Sequence, residues 1–153
     1  MPVKLSLLLK PELVFLAVPA HTREEVLVFV ADRLAQAGVV RYASDLVDLL
    51  LDRERLGATV VGDEIAIPHC KVPGLKSIVV AFARLSEAIP FGPDQELARL
   101  FFFVLSPHEQ PAAHLQVLAN ISRVLRNPLA QAAFQRAATV EELDQALQRL
   151  GSA

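Results

Sequence analysis

The chain has 153 residues, 53% hydrophobic and 21% charged, with a net charge of −2 and a pI near 6.1. That length suits one domain, expected over residues 1–153, with ample apolar material for a core. The charge balance provides no basic footprint for nucleic acid, and no apolar run approaches the ~18 residues of a membrane span.

In chain order, residues 12–18, with Leu13, Val14, Phe15 and Leu16, read as a first strand closed by Pro19. Thr22-Arg23-Glu24-Glu25 is a capping box that opens a helix. Val26, Phe29, Val30 and Leu34 follow at helical spacing, and Gly38 sits where the helix end needs a left-handed residue. Ser44 is expected to cap a second helix with Leu46, Leu49, Leu50 and Arg53 along one side and Gly57 past its end. Residues 59–67 read as a hairpin or two short strands around Gly62-Asp63. Residues 77–85 and 100–105 are near-continuous apolar runs, typical of central strands covered on both faces. A third helix is expected over 112–126, broken at Asn127-Pro128, then a shorter one over 128–137. A second capping box, Thr139-Val140-Glu141-Glu142, opens a last helix to Leu150. Helices before, between and after buried strands argue an α/β layered domain.

Several kinds of chemistry lack their motifs. There is no GxGxxG and no GxxxxGK[ST] to cradle a nucleotide. The single cysteine, Cys70, excludes an intrachain disulfide and fits a reducing compartment. Adjacent His69-Cys70 makes a poor zinc chelate. Cys70 can be read as a thiol nucleophile or, more commonly for a free cysteine, as a small buried apolar side chain. Met1-Pro2-Val3-Lys4 carries no signal-peptide cleavage pattern, so a cytoplasmic location is expected. The mean hydropathy of +0.39 leaves room for an apolar contact surface.

His69 is the first candidate for chemistry among four histidines. It ends the run Ile65-Ala66-Ile67-Pro68, where the proline removes an amide donor and restricts the backbone that aims the ring. A lone histidine is often merely structural. Here Arg53 and Glu54 lie at the end of the helix that returns to this strand, and an arginine is suited to holding a phosphate. His114 falls at the start of the third helix. It is either an exposed first-turn residue or one placed where a helix N-terminus attracts anions. His21 and His108 fall in or before loops and read as solvated.

The stretch Glu54, Arg55 to Val60, Val61, Gly62, Asp63-Glu64, Ile65, Ala66, Ile67, Pro68, His69, Cys70 resembles the signature of type-2 EIIA domains of the bacterial phosphoenolpyruvate-dependent phosphotransferase system, the fructose/mannitol/nitrogen class. The preceding Arg53, Thr59, and the later His114-Leu115-Gln116-Val117-Leu118-Ala119 match as well. Ala58, where Ser is frequent, and Cys70, where Ala or Gly is commoner, depart from the pattern without removing a reacting group. The resemblance implies an α/β fold with a mixed central sheet of about five strands flanked by helices on both faces. It implies that His69 accepts a phosphoryl group on Nε2 from phospho-HPr and passes it to a cysteine of an EIIB domain. It implies that Arg53 neutralises phosphoryl oxygens, His114 donates a hydrogen bond, and Glu54 orients its neighbours. It implies neither cofactor nor catalytic metal, and an association with a membrane permease that is peripheral at most.

Three functions follow. The first is a sugar-uptake EIIA. The second is a nitrogen-type EIIA that binds regulatory target proteins according to its phosphorylation state. The third is a cysteine-dependent hydrolase built on Cys70 and His114, a pairing of low specificity.

Overall fold

The computed structural model describes residues 4–150. Its centre is a mixed sheet in the order β1-β5-β6-β3-β2, with a further segment, β4, also on β6. The strands are β1 (Val14–Phe15), β2 (Val60–Gly62), β3 (Ile65–Ala66), β4 (His69–Lys71), β5 (Val79–Pro90) and β6 (Leu97–Ser106). The helices are α1 (Leu5–Leu8), α2 (Arg23–Gln36), α3 (Ala43–Arg55), α4 (Pro111–Leu125), α5 (Pro128–Arg136) and α6 (Val140–Arg149).

The spine is the antiparallel β5–β6 pair, in register from Val79 opposite Leu105 to Arg84 opposite Leu100. These two strands are apolar on nearly every residue because each face of the sheet is covered. One face carries Ala81, Ala83, Phe101, Phe103 and Leu105 against Val26, Val30 and Leu34 of α2 and Leu46 and Leu50 of α3. The other carries Val80, Phe82, Phe102 and Val104 against α1, α4, α5 and α6. Phe82, Phe102 and Phe134 meet there with ring centroids 4.8–4.9 Å apart. Helices on both faces of a five-position mixed sheet are the expected architecture.

β3 and β4 run parallel to β6 with one register: Ile65 opposite Leu100, Ala66 opposite Phe101, His69 opposite Val104 and Lys71 opposite Ser106. They are one strand interrupted at Ile67-Pro68. Pro68 has no N–H for the ladder, yet its carbonyl still accepts from Val104 N at 3.0 Å. Alternation along this strand sends Ile65, Ile67, His69 and Lys71 to the α4 face. Ala66 and Cys70 go to the α2–α3 face, where both join the core.

Both threonine caps form. Thr22 Oγ1 accepts from Glu25 N and Thr139 Oγ1 from Glu142 N, each at 3.1 Å. Gly38 takes the left-handed conformation at φ 79° after α2. The hairpin also forms, with Asp63 and Glu64 at φ 53° and 60° as its two turn residues, the geometry that matches strand twist.

Several elements differ from expectation. The first strand shrinks to Val14–Phe15, because Pro11–Leu13 makes a 3-10 turn. The second helix starts at Ala43 with Tyr42 as its N-cap, so Ser44 lies inside its first turn and does not cap it. β5 continues to Pro90 past exposed Ser86 and Glu87, through a bulge between Arg84 and Ile89. α1 and β4 have no counterpart in the periodicity, being four and three residues long.

Candidate functional site

The site lies where the interrupted strand emerges beside β6 and faces the first turn of α4. His69 is half-buried at the start of β4. Its Nδ1 lies 2.7 Å from the carbonyl oxygen of Ile67. A carbonyl can only accept, so Nδ1 carries the proton and a neutral ring leaves Nε2 with a free lone pair. Burial lowers the His69 pKa from 6.5, the Ile67 bond raises it, the Arg53 charge lowers it and the Glu54 charge raises it. The net shift is downward, so the nucleophilic neutral form persists into more acidic solution than for a free histidine.

His114 sits in the first turn of α4, with its N–H on Gln110 O. It is 8% exposed, which corrects the solvent-facing alternative left open by its position in the sequence. Its ring centroid is 5.4 Å from that of His69, at an interplanar angle of 56°. Its Nδ1 is 2.5 Å from Ser106 Oγ at the end of β6. Burial lowers its pKa, and the charges of His69, Lys71 and Arg53 lower it further.

Arg53 and Glu54 end α3. One Arg53 nitrogen donates to Gly57 O at 3.1 Å, bracing the turn that leaves the helix. Its charge bears on both histidines. Glu54 is 2% exposed, and its two oxygens accept from Thr59 N at 2.9 Å and Thr59 Oγ1 at 2.7 Å. Thr59 O accepts from Ile67 N at 2.9 Å, and Ile67 O holds the His69 ring. A continuous run of hydrogen bonds therefore leads from the buried carboxylate to the imidazole. All four residues singled out in the sequence converge on one place.

Cys70 does not join them. It projects to the opposite face, into the α2–α3 core, and burial pushes its thiol pKa up to about 12. A thiol so placed is neither ionised nor within reach of His114, which removes the physical basis for a Cys70–His114 nucleophile. Two neighbours were missed. Lys71 follows His69 by two residues on the same face, a relation readable only once 69–71 is known to be a strand. Ser106 is the polar residue that follows the apolar run 100–105 at the end of β6.

The sheet presents one imidazole beside a guanidinium and a second imidazole, an arrangement suited to group transfer. Known families make the class specific. Residues 7–150 match the family described as "Phosphoenolpyruvate-dependent sugar phosphotransferase system, EIIA 2". The chain belongs to that family and is an EIIA phosphotransfer component. It is 39% identical over 115 residues to the fructose-specific EIIA component of Haloferax volcanii, covering 74% of this chain and 75% of that one. It is 36% identical over 121 residues to a nitrogen regulatory protein of Bradyrhizobium diazoefficiens, covering 78% of each. The solved complex of mannitol enzyme IIA with phosphorylated enzyme IIB from Escherichia coli contains a chain that matches this one at 26% identity. That match has a TM-score of 0.73 and covers 93% of this chain and 99% of that one. Among the described residues no helix is long and apolar enough to cross a membrane.

Proposed function

We propose that His69 is the phosphoryl acceptor and that HPr is its donor. The carrying observation is the Nδ1 bond to Ile67 O, which leaves Nε2 unprotonated and aimed by the backbone. Nε2 attacks the phosphorus of phosphohistidine on HPr. The donor P–N bond breaks as a P–N bond to His69 forms, and the Nδ1 proton stays on Nδ1, donated to the Ile67 carbonyl. In the second step a cysteine thiolate of an EIIB domain attacks the same phosphorus; a P–S bond forms as the P–Nε2 bond breaks, its electron pair returning to Nε2 and restoring neutral His69. Little covalent work falls to the protein, so positioning and charge dominate. Arg53 balances the incoming negative charge, and Glu54 holds the strand that holds the ring. The likeness to a mannitol IIA that is solved with phosphorylated IIB supports the EIIB partner.

The comparable likeness to a nitrogen regulatory protein supports a second reading, in which phospho-His69 governs binding to a regulatory target. Both readings share the first step. Incubation with phosphoenolpyruvate, Enzyme I and HPr should add one acid-labile phosphoryl group, seen by mass, and His69→Gln should abolish it. No gain of mass with active upstream proteins would overturn the phosphocarrier reading. Onward transfer to an EIIB cysteine would then favour uptake over regulation.

A further inference from the structure

We propose that Ser106 is a positioning residue for phosphoryl transfer, its hydroxyl locking His114 in the tautomer that carries its proton on Nε2. The inference rests on His69 as the acceptor and concerns how its neighbour is made ready for the phosphoryl oxygens.

Ser106 is the last residue of β6 and is fully buried. It shares the α4 face with Phe102 and Val104, and its register partner is Lys71. Its hydroxyl has one hydrogen-bond partner among the described residues, His114 Nδ1. A serine hydroxyl has one proton, and burial demands an acceptor for it. If Nδ1 were the donor, the serine proton would be left in the core with nothing to accept it. If Nδ1 is the acceptor, the hydroxyl is satisfied and a neutral His114 must hold its proton on Nε2. Three surrounding features favour the neutral ring. His114 is largely closed to water, Lys71 and Arg53 place positive charge near it, and the N-terminus of α4 repels a cation.

The consequence concerns charge. An Nε2 lone pair beside phospho-His69 would repel the phosphoryl oxygens, whereas an Nε2–H donates to them. His114 can therefore serve as a donor without being protonated. The tautomer is set by Ser106, whose reach to His114 depends on β6 ending where α4 begins.

The test uses the full chain with nitrogen-15 in its histidine rings. In the unphosphorylated wild type, above the ordinary histidine range, two-bond nitrogen–proton correlations should place the His114 proton on Nε2. Ser106→Ala should give a mixture of tautomers and slow single-turnover transfer from phospho-HPr about tenfold, equivalent to about 1.4 kcal/mol. Ser106→Thr, which keeps the hydroxyl, should restore both. A wild-type His114 protonated on Nδ1 overturns the proposal and needs no variant that folds. So does a Ser106→Ala protein with unchanged tautomer and rate. If wild-type His69 takes no phosphoryl group while His114 shows the Nε2–H form, the carrier reading fails and the role in transfer falls with it, even though the Ser106 bond is real.

Discussion

The Glu54–Thr59 clamp supports a quantitative prediction. Glu54 and Thr59 are 2% and 3% exposed, so water cannot replace either of their two bonds. Buried hydrogen bonds to a charged group are worth about 1.5–3 kcal/mol each and do not add fully. Glu54→Ala orphans both the Thr59 N–H and its hydroxyl and should therefore cost about 3–5 kcal/mol. Against a typical total of about 5–15 kcal/mol that is a large share, and at about 2–4 °C per kcal/mol it should lower the thermal midpoint by roughly 6–20 °C. Glu54→Gln keeps one oxygen to accept from Thr59 N and offers an amide N–H to Thr59 Oγ1, so its loss should be about 1 kcal/mol. Urea unfolding separates the two variants. Thr59 O holds Ile67 N, and Ile67 O holds His69 Nδ1. Phosphoryl acceptance by Glu54→Ala, assayed where it is still folded, should thus fall more than that of Glu54→Gln. Equal stabilities for the two variants, or a Glu54→Ala protein within about 1 kcal/mol of wild type, would refute the clamp.

Both site histidines have pKa values below 6.5, chiefly through burial. The unfolded chain then binds protons first on acidification, so their contribution is complete above 6.5 and lost as pH falls through the two lowered values. Urea midpoints measured across that window should decline, and less steeply in His69→Gln; a midpoint that rises on acidification there would contradict the shifts. Cys70→Ala should retain phosphoryl acceptance at a stability cost of about 1–2 kcal/mol, and the folded wild type should react slowly with thiol reagents. Loss of acceptance in a folded Cys70→Ala protein would bring the thiol into the chemistry.

What the sequence revealed was what local physics decides. Thr22 and Thr139 announce helix starts because the amide that each caps lies three residues away. Even there, the box carboxylates reach one residue further back than expected, Glu25 to His21 N and Glu142 to Ala138 N. The apolar runs of β5 and β6 mark central strands because burial on both faces removes the polar alternation. Ser44 misled because a good capping residue stood two positions late, and tertiary packing started α3 after Tyr42, which makes no side-chain cap. His69, Arg53 and Glu54 were legible because they lie in one contiguous motif. Lys71 and Ser106 were not, since their relation to the site depends on the β4–β6 register, which joins residues 35 apart and leaves no trace in a window.

The same register explains why a proline stands before His69. In a parallel ladder a residue's N–H and carbonyl point to the same side, and successive residues alternate sides. Pro68 points toward β6, where its carbonyl meets Val104 N. Ile67 must then point away, toward β2, and its N–H does find Thr59 O. Its carbonyl would pair with Thr59 N in a regular antiparallel ladder, but that N–H is donated to Glu54 instead. That carbonyl is the one His69 uses. A regular strand with a longer β2 would have consumed it and left the imidazole without its tautomer lock. The short edge strand and the interruption at Pro68 are thus the means by which this sheet frees one backbone acceptor beside one histidine.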